Sequence, residues 1–599
     1  SSIGQLSSIG QLSSIGQLSS IGQLSSIGSL IDISVNSGNG VSETLYYNVH
    51  ELAGPYYLAA LPHDDAGIGV PFSLTVQLIA PDEPQLVIDN KIPEGAFGAP
   101  FATDGSVETV ILYSELRLSA FYTDGVEAAA IADVVAGIND LAAATNGVAL
   151  NLDTVEGAAV IADAYALWDE NAFNPQAANY MSRIIKKLLY DKVWPAYPNL
   201  KYMVLVGDDR IIPHRRVRDE TLVANERNYF AEVATHTYLE SAFQYRYILT
   251  DDYYAGVIPL EVKSREVYLP QFAIGRLVES PTEIVATIER YLTSPVIEPD
   301  DAFVTGYDFL IDQSTAISNS LGAQGISDIT TLINNTWTDV EYNALIAQFT
   351  AGPKMGVPDL VSLNSHFSHY SFYPNNPTND VFAQDILGSS AYQDALIFSV
   401  GCHSGLNVDD ATAVNGQSAA DWAQTFNSLG ATYFGNTGFG YGDSDLIAYS
   451  ELLMLNFVEA LNYDVDGAGP IQQTVGEAML NAKLRYFNEL AAGTFSPYDE
   501  KVLAIMTLYG LPMQGVQMPN TTTTSPGTEV QVEAVPSGGS QTGVTPYQLS
   551  LAYDKVELSR GEFYVVKDGG DQLATGGRPS VPRLAVDISS DEIVHGVLM

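Results

Sequence analysis

The sequence predicts an α/β protein: two parallel-sheet α/β subdomains flanked by N- and C-terminal β-domains, behind an N-terminal hexapeptide repeat. Three observations predict it. From about residue 107, apolar runs of strand length, rich in Val, Ile and Leu on both faces, alternate with amphipathic helical patterns. The segments on either side of this core carry short β-rich runs divided by Gly, Pro and Asp turns. At the start, Ser-Ser-Ile-Gly-Gln-Leu runs four times and breaks at Ser25-Ser26-Ile27-Gly28-Ser29-Leu30.

Taken in order, residues 1–30 are the hexapeptide leader. A period of six fits neither a heptad nor the α-helix. It fits a hexad β-solenoid or a β-ribbon, and equally a flexible low-complexity leader. Five short units bury too little to stand alone, so self-association through residues 1–30 is expected. Residues 31–105 read as a β-rich domain, with Leu45–Val49 and Phe72–Val76 as strands. In the core the expected strands are Thr109–Tyr113, Val148–Leu152, Tyr202–Val206, Val267–Ile274, Phe303–Thr305, Leu360–Leu363, Leu396–Val400 and Ala431–Phe434. Helices are expected at Gly125–Ala144, Ala177–Leu189, Pro281–Leu292, Ala419–Leu429 and Leu446–Leu461. Roughly 400 residues exceed one such sheet, so the core divides into subdomains at 106–300 and 301–515. Residues 516–545 are a linker by composition, running through Pro519-Asn520-Thr521-Thr522. Residues 546–599 read as a C-terminal β-module that ends without a closing element. The chain starts at Ser1 without Met or a signal-peptide pattern, as a processed or cropped segment would.

Charge excludes several functions. With 71 acidic against 26 basic residues the formal net charge is −45, a surface that repels nucleic-acid phosphates and anionic membranes. No apolar stretch reaches the roughly 18 residues of a membrane helix, so no membrane insertion is expected. Such an excess of carboxylate suits a cation-rich setting, high salt or calcium outside the cell. The single cysteine, Cys402, rules out an internal disulfide and any zinc site built from several thiolates.

That cysteine is not isolated from other chemistry. Three of the eight histidines fall between 366 and 403. Ser365-His366-Phe367-Ser368-His369 follows one apolar strand and Gly401-Cys402-His403-Ser404-Gly405 follows the next. Neighbouring parallel strands share a carboxyl edge, where ligands bind, so His366 and Cys402 can meet there. An imidazole beside a thiol makes a nucleophile able to attack a carbonyl. The Cys402 backbone N–H is a candidate oxyanion donor. A zinc site from His366, His369, Cys402 and His403 has suitable ligand types but no accompanying zinc-specific spacing.

With these residues in place, the sequence resembles clan CD cysteine peptidases, specifically the gingipain-like family C25. Tyr202–Asp209 followed by Ile212-Pro213 looks like that family's strand ending in Gly-Asp. Thr250–Tyr254 and Phe272–Leu277, Val304–Asp308 and Leu508–Pro512 also match, so the likeness spans roughly 107–515. It implies a caspase/gingipain-like fold and a secreted or surface-attached cysteine endopeptidase acting on protein or peptide substrates. By the same likeness Cys402 is the nucleophile, His366 the proton shuttle and Asp308 its orienting acid. Asp312 is the nearest match to the family's S1 acid, with Asp443 and Asp445 as rivals for that pocket, and the likeness implies cleavage after Arg or Lys. Phe367 stands where the family usually has Gly, and its amide would share the oxyanion role with Cys402. His369 is the alternative to His366, and His403 reads as packing or a supporting donor. No cofactor is needed for the chemistry; structural calcium, which the family commonly carries, is expected at Asp251 and Asp252. The competing reading is an extracellular structural, filament or assembly protein that retains the peptidase fold without its activity.

Overall fold

The computed structural model describes residues 92–522, apart from 94, 222, 235, 258, 263–264, 374–379, 410–419, 444–445, 464–472 and 491–494. The repeat at 1–30, most of the 31–105 segment, the linker beyond 522 and the 546–599 module lie outside the described residues.

The core sheet has ten strands: β1 Thr109–Tyr113, β2 Gly147–Asn151, β3 Tyr202–Val206, β4 Ala273–Leu277, β5 Asp301–Gly306, β6 Asp328–Ile333, β7 Leu360–Ser362, β8 Leu396–Phe398, β9 Thr432–Asn436 and β10 Met506–Tyr509. They form one sheet in the order β6-β5-β7-β8-β9-β10-β4-β3-β1-β2. All neighbours are parallel except β9 and β10. The α/β class therefore holds. The expectation that so long a core exceeds one sheet does not, because both halves hydrogen-bond into the same sheet. Its strand direction reverses at the β9–β10 seam, so each half keeps its own carboxyl edge. β10 comes from the end of the core yet lies beside β4 of the first half, with Tyr509 opposite Arg276.

Helices cover the sheet where their start signals predict. α1 Gly125–Ala144 begins at Asp124, whose carboxylate accepts the amides of Val126 and Glu127. α2 is Pro175–Leu188. α3 Pro281–Thr293 begins with proline inside a Ser280–Glu283 capping box. α4 Ile311–Ala323, α5 Ser450–Ala460 and α6 Pro497–Ile505 follow, the last capped by Ser496 and Asp499.

Several bounds differ from expectation. The run Val267–Ile274 is not one strand: Pro270, which has no amide to donate, divides Arg265–Val267 from β4. The helix expected at 419–429 is Trp422–Ser428, started by Asp421. That expected at 446–461 begins only at Ser450, after Tyr449 in a positive-φ conformation. β6 and β10 were not expected as strands. β6 is a sheet edge whose polar, part-exposed sequence lacks the apolar signature of its neighbours.

Candidate active site

The register of three adjacent strands builds the site. Val304 of β5 pairs with Ser362 of β7, and Ser362 pairs with Phe398 of β8. Asp308, His366 and Cys402 each lie four residues beyond a member of that aligned row. Three strands of one direction thus deliver an acid, an imidazole and a thiol to one carboxyl edge.

Asp308 sits in the left-handed region at φ 56°, and its amide donates to Asn335 Oδ1 at 2.9 Å. Its carboxylate lies 3.4 Å from His366 Nε2. The imidazole's hydrogen bond is the main reason the Asp308 carboxyl stands below its ordinary range, partly offset by burial. The neighbours of Asp308 hold the same ring: Tyr307 meets it edge-on at 5.5 Å and Phe309 at 6.1 Å. His366 and Phe367 form a short strand paired with Phe372 and Tyr373. Strand alternation sends their side chains apart. Phe367 is buried against Phe372, with ring centroids 5.0 Å apart, and lies directly over Gly401.

Cys402 is 2% exposed, and its Sγ lies 3.7 Å from the Gly440 carbonyl oxygen. Burial pushes the thiol up to about 12, so the resting group is a protonated thiol. The next residue, His403, has φ 55°. Its Nε2 meets Glu226 Oε2 at 2.7 Å, and its ring stacks on Tyr229 at 3.4 Å. Burial opposes ionisation of Glu226, yet Lys501 of α6 and His403 hold its carboxyl down to about 2. His369 is tied to the same tyrosine: the Tyr229 hydroxyl meets Nδ1 at 2.7 Å and accepts the His369 amide at 3.0 Å. Burial drives its imidazole well below the ordinary histidine range, so it stays neutral. His369 and His403 are thus interior tie points to a short 3-10 helix of the first half, Glu226–Tyr229, while His366 is the histidine at the strand edge beside Asp308.

The remaining expected acids lie near one another. Asp312 is in the first turn of α4, where Oδ1 accepts the Gln313 amide at 2.7 Å; the N-cap position belongs to Leu310. Asp443 ends a strap, Gly440–Asp443, and its Oδ1 accepts the Leu446 amide at 3.2 Å. Asp445 lies outside the described residues. The strap is bound to the start of α5 by Tyr441 and Ser450, which exchange hydrogen bonds of 3.1 and 3.0 Å. A residue that sequence reasoning missed, Glu451, is fully buried beneath the strap and accepts the Asp443 amide at 3.0 Å through Oε2. The alternating glycines Gly438, Gly440 and Gly442 were the available signal. A Cβ at each would fall 2.4 Å from Glu226, 2.3 Å from the Val400 carbonyl and 2.5 Å from Phe309 respectively.

The two carboxylates expected to hold calcium, Asp251 and Asp252, are each engaged by a cation. Asp251 holds Arg276 at 2.6 Å and Asp252 holds Lys483 at 2.7 Å, all four buried, so these carboxylates are internal counter-ions. A second group, Asp300, Asp301 and Asp359, surrounds the ammonium of Lys354.

A family model described as peptidase family C25 matches residues 161–516. Among solved structures, the crystal structure of caspase-1 from Spodoptera frugiperda matches 39% of this chain and 96% of its own, at 11% identity and a TM-score of 0.25. No curated protein matches the sequence.

Proposed function

The chain belongs to peptidase family C25, and from that premise we propose that it is an endopeptidase working through a Cys402–His366 dyad, oriented by Asp308, that cleaves after Arg or Lys. The observation that carries this reading is the aligned row Val304, Ser362 and Phe398, which sends all three residues to one edge at equal offsets.

Because Nε2 of His366 faces Asp308, Nδ1 is the nitrogen assigned to the thiol. The Cys402 Sγ attacks the scissile carbonyl carbon while its proton passes to His366. Amides of Cys402 and Phe367 face the developing oxyanion. The C–N bond then breaks, the leaving amine takes the proton from His366, and a thioester remains. Water attacks the thioester with His366 as base, releasing the new carboxyl group and restoring the thiol. The resting thiol, pushed up to about 12, favours proton transfer on attack over a pre-formed thiolate. Asp312 and Asp443 would supply negative charge for a guanidinium or ammonium. The acidic surface suits an extracellular or surface-attached setting.

Labelling by an arginyl acyloxymethylketone, wild type against Cys402→Ala, tests the reading. Rapid labelling lost in the variant is expected. Equal labelling of both, or none of a wild type whose Cys402 thiol is free, would overturn it.

A further inference from the structure

Several buried acids in this fold are paired with cations. Asp209 holds Arg216, Asp219 and Glu226 share Lys501, Asp251 holds Arg276 and Asp252 holds Lys483. The pairing is expected, because an uncompensated carboxylate loses several kcal/mol of hydration on burial. Glu451 has no such cation among the described residues. It is 0% exposed, its Oε2 accepts amides of Asp443 at 3.0 Å and Ala448 at 3.2 Å, and its Oε1 has no hydrogen-bond partner among the described residues. Among the described residues, the charges that act most on it are anionic: Asp312 on α4, which packs against α5, and Asp443 on the strap. Desolvation, joined by those two charges, raises its carboxyl to about 8.

Its position ties it to the reaction. The strap begins at Gly440, whose carbonyl meets the Cys402 thiol, and reaches Glu451 at Asp443. On the other side the Phe309 ring lies against both His366 and the Gly442–Glu451 contact. An unpaired buried oxygen at such a place requires an account, and a cation brought by the substrate provides one.

We propose that Glu451 forms the base of the P1 specificity pocket and gives up its proton when a cationic P1 side chain enters. This rests on the basic-P1 reading above. In the resting protein Glu451 is a neutral acid between two carboxylates. An arriving guanidinium or ammonium supplies the missing counter-charge; the carboxyl O–H bond breaks, its electron pair stays on the oxygen, and the proton leaves to solvent. A neutral P1 side chain brings no counter-charge and leaves the acid protonated. Preference for basic over neutral P1 residues therefore rises with pH until Glu451 ionises unaided.

The test is calorimetric titration of the full chain with argininamide at pH 7, in two buffers of different ionisation enthalpy. Wild type should release close to one proton per ligand bound, and its affinity should rise nearly tenfold per pH unit below about 8. Glu451→Gln keeps an acceptor for the Asp443 and Ala448 amides, and should bind about tenfold or more weakly with no proton released. Wild-type binding without proton release, or no binding at all, overturns the proposal; these two outcomes need no folded variant. Cleavage profiling with a P1 library separates the failures. If basic P1 is preferred and Glu451→Gln keeps both that preference and its pH profile, only the Glu451 proposal falls. If wild type prefers neutral P1 residues, the basic-P1 reading falls and takes the proposal with it.

Discussion

The ring of Phe367 occupies the space where Gly401 would carry a side chain: a Cβ on Gly401 would lie 2.3 Å from the nearest ring carbon. The residue after the proposed base thus packs on the residue before the proposed nucleophile. Gly401→Ala should abolish cleavage and lower stability by about 1–3 kcal/mol, as overpacking does. Combined with Phe367→Ala, itself destabilising by about 3–5 kcal/mol, the loss measured by denaturant unfolding should be smaller than the sum of the two single losses. Additive losses would show that the two residues are not coupled.

The buried thiol predicts slow reaction with small alkylating agents. Raising Cys402 to about 12 lowers its thiolate fraction at pH 8 by three orders of magnitude against an ordinary thiol. A more basic thiolate is more nucleophilic and partly offsets that. Iodoacetamide should therefore label the native protein roughly a hundredfold more slowly than the unfolded chain. The difference should narrow as pH rises toward 12. Mass-spectrometric labelling rates across pH decide it; equal rates at pH 8 would mean an exposed or activated thiol.

Asp308 reaches His366 from a half-exposed position at 3.4 Å, so its loss should be felt but not fatal. Asp308→Asn should lower kcat on the order of ten- to a hundredfold, with KM nearly unchanged, because it orients the base and does not hold substrate. A matched rise in KM with kcat intact would reassign Asp308 to binding.

The Glu226–Lys501–His403 cluster predicts an acid-labile core. The folded carboxyl of Glu226 stands at about 2 against an ordinary 4.5. A depressed acid contributes stability that is complete above pH ~4.5 and is lost as pH falls toward 2, here about 3 kcal/mol. Glu226→Gln should be less stable at pH 7 and should flatten the stability profile between pH 5 and 2. Unfolding titrations at stepped pH measure both. A variant with the wild-type acid slope would move that slope to other groups.

Much of this was legible in the sequence for physical reasons. β1, β3 and α1 match their expected bounds because runs buried on both faces and an Asp cap leave unambiguous marks. His366 and Cys402 stood out because strand-end residues in a parallel sheet converge. What was hidden depends on tertiary partners. Nothing local distinguishes Asp251 and Asp252 from exposed acids until Arg276 and Lys483 close on them. Glu451 looks like an ordinary first-turn acid of a helix, and only the strap laid over it makes it a buried one. His369 stood as the alternative to His366, and the anchors of His369 and His403 were hidden, because Tyr229 and Glu226 are more than a hundred residues away.

The seam of the sheet also governs how the molecule can be assembled. β10 is the last of the ten strands to be synthesised, yet it stands between β9 and β4, in the middle. Until Met506–Tyr509 leaves the ribosome, β4 and β9 each present an unsatisfied, apolar edge with no partner. Nascent chains shorter than this are therefore two half-sheets with sticky margins, open to pairing with other chains. Final closure depends on contacts across more than two hundred residues, such as Arg276 with Tyr509, which makes it a slow, late step. A truncation just before Met506 would leave the proposed catalytic residues in the chain and remove the strand that joins the half bearing them to the half that supplies Glu226 and Tyr229.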